Sequence, residues 1–431
     1  MGTLGVINSD PAIKQMIDTS VRTGPKVFLV EENDIFEFLN YELPGVVILN
    51  FSDPSIDIDK VASHIKTDKW ALNFGIIGIF SPEQSDEETL FKKYSAINIL
   101  AFMDIYRIRS HLSKGIEIIE DNYQIVFQRE FTQNLVAGVS GSFTIDNDIF
   151  ALPLYAGIGA TLPAQRGLIN PEHKMHLQLA LGELLVNAVE HGNCGITYDE
   201  KTAGMDKGLS VVDLVVERCK DPVIKARRVN LQWEIQDEQT VFVIQDEGNG
   251  FDVQAHLQKI AHQNVMRLHG RGIQMATKLT HKLKYSLKGN QVTAVIRHDQ
   301  MVENEIPQGF FREKILMVKK GDMVMREGDP GDSLYYISSG EYNVYHEHKL
   351  VGILSPQDIF MGEMSFLLNQ TRSASVRAET DGKLIILGRK EFINVIRKYP
   401  HYGIFLSKML AKRIARGNER YALLIDQLKR V

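Results

Sequence analysis

Three different rhythms of apolar residues succeed one another along this chain. No single layer of secondary structure accommodates all three, so the 431 residues must fold as separate units. Up to about residue 122, short and mostly apolar runs alternate with polar, helix-like stretches. The runs are 26–30 (KVFLV), 45–50 (GVVILN), 74–80 (FGIIGIF) and 97–102 (INILAF), and a helix is expected over 86–93. Alternation of this kind predicts a parallel sheet covered on both faces. From 125 to 300 the pattern changes. A long helix is expected over 173–191, a hairpin from strands 229–236 and 240–245, and a last strand over 291–297, which together make an α+β layer. From Lys314 onward, short strands broken by GD, EGDPGDS and SSGE predict a small β-roll, giving way to basic helical sequence from Arg389. The expected units are therefore 1–122, 123–300 and 301–431, with 301–312 (MVENEIPQGFFR) as a connector.

Bulk properties narrow the function. The net charge of −5 argues against nucleic acid as a direct partner, because neutralising phosphates needs a basic surface. Cys194 and Cys219 supply neither a disulfide framework nor metal-ligand spacing and suit a reducing compartment. No apolar run reaches the roughly 18 residues of a spanning helix, and the first residues lack a secretory pattern. Val6 stands where a myristoylation signal wants Ser or Thr. A cytoplasmic protein with no membrane partner is expected.

The chemistry concentrates first in the middle. Within 179–193 (LALGELLVNAVEHGN), Leu181, Leu184, Leu185 and Ala188 form an apolar stripe, while Glu183 and Asn187, four apart, share another face. A positioned carboxylate can accept a hydroxyl proton, and an amide oxygen beside it suits a hydrated Mg²⁺ near triphosphate. A solvated helix face is the competing reading. Asp246-Glu247-Gly248-Asn249-Gly250-Phe251-Asp252 follows a strand. Its glycines let backbone approach a ligand, and Asp246 can accept from an adenine amino group. His269-Gly270-Arg271-Gly272-Ile273 then opens a helix, a place where Gly-rich backbone suits phosphate.

The order of these three elements resembles the GHKL ATPase superfamily, with its asparagine box and two glycine boxes. Within it the chain resembles the serine kinases that act as anti-sigma factors, also through residues 217–222 (ERCKDP) and Arg227-Arg228-Val229. The resemblance covers about 141–299 and implies an α/β sandwich that binds ATP. By it, Asn187 would ligate Mg²⁺ and Glu183 would be the general base toward a protein serine. Asp246 would read adenine, with Thr293 beside it. Gly248, Gly250, Gly270 and Gly272 would shape the pocket, Arg271 would touch phosphate, and 253–268 would be the lid. The implied partners are an anti-sigma antagonist (an anti-anti-sigma protein) and a sigma factor. A histidine kinase of the same ATP fold needs a phospho-accepting hairpin upstream, and 122–171 offers only a strand (GSFTI) and one helix. His173 and His176 are read as surface or satisfied histidines, and 198–209 as a flexible surface loop.

A second site lies near the C-terminus. Gly362 allows close backbone approach, Glu363 can accept from a ribose hydroxyl, and Arg372 offers a planar fork to a phosphodiester. A surface arginine with no ligand is the alternative from composition alone. The stretch 360–376 resembles the phosphate cassette of the cyclic-nucleotide-binding domain, and the likeness extends over about 310–420. It implies ribose contact by Glu363, phosphate contact by Arg372, and a cassette completed by the backbone of Gly362, Glu363, Met364 and Ser365 with Ser373. Thr371 replaces the usual proline, and Ser373 could donate to a guanine edge, so the ligand is cAMP or cGMP. The basic terminal helix, with Phe405, Met409 and Ile414 as its stripe, would close over the base and pair two chains as a homodimer.

The first block resembles a degenerate, flavodoxin-like response-regulator receiver. KVFLV would be its first strand, Glu31 and Glu32 the acidic pair, and Asn50 would stand where the phospho-accepting aspartate belongs. Phe102 or Met103 falls near the expected lysine, and Asp53 is read as a turn residue. An unrelated α/β domain is the alternative. Together the readings predict a cyclic-nucleotide-regulated serine protein kinase. The alternatives are a non-catalytic ATP-binding anti-sigma or scaffold protein, and an ATP hydrolase.

Overall fold

Val46–Asn50 and Gly75–Phe80 are buried at every residue, which requires a sheet covered on both faces. The computed structural model describes residues 3–21, 24–68, 74–127, 139–236, 238–251, 253, 276–299, 303–304 and 306–411. In it, five parallel strands take the order β2-β1-β3-β4-β5. They are β1 (Leu4–Ile7), β2 (Lys26–Leu29), β3 (Val46–Asn50), β4 (Gly75–Phe80) and β5 (Ile99–Asp104). Between and after them lie α1 (Pro11–Ser20), α2 (Glu32–Glu42), α3 (Ile58–Thr67), α4 (Glu87–Lys93) and α5 (Ile108–Phe127). Local chemistry sets the helix starts. Asp10 caps α1 by accepting from the amides of Ala12 and Ile13, with Pro11 in the first turn.

Two expectations are corrected here. KVFLV is the second strand, at the sheet's edge, so Glu31 and Glu32 begin α2 rather than following a central first strand. The residues after the true first strand are Asn8-Ser9-Asp10, and Asn50 donates to Asn8 Oδ1 at 2.8 Å. Asp53 is buried in the turn beyond Asn50, where Ser9 donates to it through both its amide and its hydroxyl. In addition, α5 runs straight through residue 122, where a boundary was expected.

The second sheet is antiparallel, in the order β6-β7-β8-β10-β9. Its strands are β6 (Val139–Ile145), β7 (Val229–Ile235), β8 (Gln239–Asp246), β9 (Lys282–Tyr285) and β10 (Gln291–Arg297). One face carries α6 (Leu152–Gln165) and α7 (Pro171–Asn187); α7 continues into a π-helical turn, Ala188–Asn193. Then come α8 (Tyr198–Asp206), α9 (Val211–Arg218) and α10 (Pro222–Ala226). The stretch read as a flexible loop is thus mostly helix. A capping box closes its start, with the Thr197 hydroxyl accepting from the Glu200 amide and the Glu200 carboxylate accepting from the Thr197 amide.

The two sheets do not have separate cores. One cluster runs from Val6, Ile48 and Leu100 of the first sheet through Leu112, Leu154 and Ile158 to Leu181, Leu231 and Phe242 of the second. Gly157 of α6 lies so close to β5 that a Cβ there would sit 1.9 Å from the Leu100 carbonyl oxygen. From α7, Gln178 Nε2 donates to that same carbonyl at 2.8 Å and Lys174 Nζ to Asn98 Oδ1 at 2.5 Å.

The last unit is a β-roll of two four-stranded antiparallel sheets between Lys314 and Gly388, with α11 (Glu363–Leu368) inside the run and α12 (Arg389–Lys398) after it. Residues 400–411 are helical and pack Tyr402, Leu406 and Met409 into a core with Phe310, Tyr336, Phe360 and Phe366. Ile414 lies outside the described residues.

Candidate functional site

Burial of Leu177, Leu181, Leu184 and Leu185 fixes the rotation of α7 and leaves Glu183 and Asn187 half-buried toward the other side. The switch to a π turn after Asn187 re-aims the chain, as such bulges commonly do at sites. Asn193, fully buried, then ties this turn to its surroundings. Its Nδ2 donates to Asn147 Oδ1 at 2.8 Å, and its Oδ1 accepts from the Glu247 amide at 2.9 Å.

That second bond brings the end of α7 against the turn after β8. Asp246 closes the strand, buried, with its Oδ1 accepting from the Gly248 amide at 2.8 Å. Burial holds its carboxyl above the usual aspartate range. Glycine is required on both sides of it. A Cβ at Gly192 would lie 2.4–2.7 Å from the Asp246 carboxyl, and one at Gly248 would lie 2.1 Å from the Gly192 carbonyl oxygen. Gly250 adopts φ +76°, and a Cβ there would lie 1.9 Å from the Lys288 carbonyl oxygen.

The result is a cavity of about 440 Å³ whose wall includes Asn187, Asp246, Gly250, Phe251, Tyr285 and Val292. Its size and mixed wall suit a small organic ligand. Sequence spacing thus brings Asn187, Asp246 and Gly250 together, with Gly248 behind Asp246. Glu183 lies one turn back along α7. Burial pushes its carboxyl up, Lys201 of α8 opposes that, and the charge of Glu190 adds to it. Lys201 bonds the almost fully buried Glu190 at 2.9 Å.

Thr293 does not join them. It pairs with Val243 and Lys284 in the register that puts Val292 in the cavity wall, so it faces the other side of β10. Gly270, Arg271, Gly272 and residues 254–268 of the expected lid lie outside the described residues. Sequence reasoning missed the Phe251–Tyr285 edge-to-face pair, 5.5 Å between centroids, and the Lys288-Gly289-Asn290 turn behind it. A Gly-Asn turn between two short strands was the available signal.

The donor set fits magnesium nucleotide. Among the described residues no group of three or more His, Cys, Asp or Glu side chains could hold a metal. A cation here would draw on the Asn187 amide oxygen, nucleotide phosphates and water, the sparse protein ligation typical of Mg²⁺.

In the β-roll, Gly362 takes φ +76° at the start of α11. Arg372 is buried, and its fork donates to Gly362 O at 3.0 Å, Ser365 Oγ at 2.9 Å and Ser333 O at 2.6 Å. All three acceptors are neutral oxygens, and among the described residues no carboxylate is bonded to the guanidinium, an arrangement that favours an arriving anion. Glu363 is buried beside it, while Met364 and Ser373 are exposed. Hydrogen bonds thus join Gly362, Ser365 and Arg372 of the expected cassette, while the carbonyl oxygen of Ser373 is bonded by His346.

Residues 315–399 match the family model of the cyclic nucleotide-binding domain, and residues 157–296 that of the histidine kinase-like ATPase domain. The cAMP-dependent protein kinase type II regulatory subunit of Drosophila melanogaster is 34% identical over 117 residues, 27% of this chain and 29% of that protein. The cGMP-dependent protein kinase egl-4 of Caenorhabditis elegans is 34% identical over 116 residues, 27% of this chain and 13% of that protein. The crystal structure of the Thermus thermophilus catabolite activator protein is 28% identical, covering 27% of this chain and 56% of that one, with a TM-score of 0.26. The chain thus spans less than a third of the length of these two curated relatives. It combines a cyclic nucleotide-binding domain with a kinase-like ATPase domain. No described helix is long and apolar enough to cross a membrane.

Proposed function

We propose that this chain is a cyclic-nucleotide-regulated protein serine kinase of the anti-sigma type. It takes Mg-ATP in the cavity of the second sheet and passes the γ-phosphoryl group to a serine of an antagonist protein. The supporting observation is the convergence of Asn187, Asp246 and Gly250 on one cavity, with Glu183 a helical turn from Asn187. Asp246 reads the adenine amino group, Asn187 holds the cation, and Glu183 accepts the serine proton. By the resemblance, Gly270, Arg271 and Gly272 would contact the phosphates. Bound magnesium supplies charge neutralisation on the phosphates, and the protein supplies position.

The regulatory ligand, cAMP or cGMP, lies against Glu363, Arg372 and the Gly362–Ser365 backbone. Arg372→Ala is expected to weaken it by about 1.5–3 kcal/mol, the range for charge-assisted bonds. Titration calorimetry of the intact chain reads this directly, and unchanged affinity refutes the assignment. The first unit is read as a receiver-like, flavodoxin-like domain, a reading supported by its 2-1-3-4-5 order of parallel strands. With Asn50 in place of an acceptor it serves contacts. The protein is cytoplasmic and pairs as a homodimer through its terminal helix, and a sigma factor is a further partner.

The test is incubation with γ-labelled ATP, Mg²⁺ and a candidate antagonist, with and without cAMP or cGMP. Serine labelling that responds to the cyclic nucleotide is the expected result. Bound ATP without transfer identifies a scaffold, and free phosphate with no protein acceptor identifies a hydrolase. Either outcome refutes the kinase reading.

A further inference from the structure

The sensor unit touches the rest of the chain at an unexpected place. Asp68, at the C-terminal end of α3 in the first unit, accepts from Tyr402 Oη at 2.7 Å and pairs with His401 Nε2 at 2.9 Å. All three residues are buried, at 4%, 6% and 2% exposure for Asp68, His401 and Tyr402. Six residues on, Lys408 Nζ donates to the Glu42 carbonyl at the end of α2, 2.6 Å away. These three bonds join the helical end of the sensor unit to the first unit, while the connector residue Asn304 bonds Ile337, Ser338 and Pro356 of the β-roll.

A carboxylate shut between two units is stable only while its partners are in place, and otherwise must return to water. Breaking the contact therefore means either returning the Asp68 carboxylate to water or leaving it buried and unpaired. Each end is tied to one of the nucleotide sites. On the sensor side, Tyr402, Leu406 and Met409 share a core with Phe366 of α11, the helix that opens with Glu363 in the cassette. Phe366 meets Phe392 of α12 edge to face at 5.3 Å, and Arg389 donates to its carbonyl at 2.6 Å. On the other side, the first sheet is bonded to α7 through Asn98–Lys174 and Leu100–Gln178, and α7 ends at Asn187.

We infer that the first unit is the coupling element of this chain. The docking of His401 and Tyr402 on Asp68 transmits cyclic-nucleotide occupancy to the helix that carries Glu183 and Asn187. The assignment gives the first unit a task that needs no phosphorylation, and it rests on the reading that the β-roll regulates the ATP site. A ligand that favours one state of this contact shifts the ATP site only by its differential affinity for the two. Coupling of this kind is reciprocal, so ATP must alter cyclic-nucleotide affinity by the same factor.

The experiment measures ATP affinity of the full chain with and without saturating cAMP, and separately cGMP. Wild type is expected to change by about 5–150-fold with one of them. Asp68→Ala is expected to bring that factor to near one while each ligand still binds. Tyr402→Phe, which removes a single hydroxyl, is expected to reduce it with the core intact, and it serves if the first variant does not fold. Coupling that persists undiminished in Tyr402→Phe and in any folded Asp68 variant overturns the relay and leaves regulation standing. No coupling in wild type overturns both.

Discussion

Glu183→Gln is expected to lower phosphoryl transfer to a protein serine by about 10²–10⁴-fold, the usual worth of a general base, while ATP binds as before. The substitution keeps size and hydrogen bonding and removes only the capacity to take a proton. Glu183 is not in the cavity wall, so nucleotide affinity has no reason to fall. Its environment tunes it for the task. Burial, helped by Glu190, pushes its carboxyl above the usual range, and Lys201 restrains the rise. A base acts only when deprotonated, so the rate climbs as pH rises through this raised value and is lost below it. The acid limb of the wild-type profile therefore stands above the ordinary glutamate position of about 4.3, and it vanishes in the variant together with the rate. Single-turnover labelling across pH measures both. Retained transfer in Glu183→Gln removes this residue from the mechanism. A parallel loss of ATP affinity assigns it to binding instead.

What the sequence disclosed about this site, and what it hid, follows from the range of the forces involved. Glu183 and Asn187 were legible because a helix turns spacing into a face, and Asp246 because a glycine-rich turn follows a strand of clear period. Thr293, expected beside Asp246, is absent from the cavity wall, because resemblance gives only a position in a strand. Which face that position takes depends on parity, and along this strand Val292, Ala294 and Ile296 are the buried residues. The first strand, Leu4–Ile7, was missed because four residues at the start of a chain carry no alternation to detect. Its place inside the sheet, next to the edge strand, is decided by pairing with Lys26–Leu29 and Val46–Asn50. Helix α8 lacks an apolar stripe and was read as loop, yet Thr197-Tyr198-Asp199-Glu200 spells a capping box in one dimension. The Glu190–Lys201 and Arg218–Glu200 pairs that tether the helix do not show in local sequence. The core shared by the two sheets was equally hidden, because Gly157 and Leu100 meet only across the assembled fold.

That shared core contains a group working against it, and Lys174→Met is expected to stabilise the protein by about 1–4 kcal/mol near neutral pH, as replacement of buried charge by apolar volume often does. Lys174 is buried on α7, its ammonium bonded to the neutral Asn98 oxygen. Burial pushes it from 10.5 down to about 7. The sign follows from proton counting. Between about pH 7 and 10.5 the unfolded chain holds a proton that the folded chain has released, so stability rises with pH across that window. Below it, both states are protonated and the fold carries the full cost of the desolvated charge. At about 1.4 kcal/mol per pH unit, the interval sets an upper bound of roughly 5 kcal/mol, which relaxation and water penetration reduce. Methionine keeps the length and removes the charge, so the gain should be largest at pH 6 and nearly absent by pH 10. Denaturant midpoints of both proteins at those two pH values measure it. A gain that does not change with pH would show that packing, not proton release, is responsible. No gain at all would mean that Asn98 and its surroundings already solvate the ammonium.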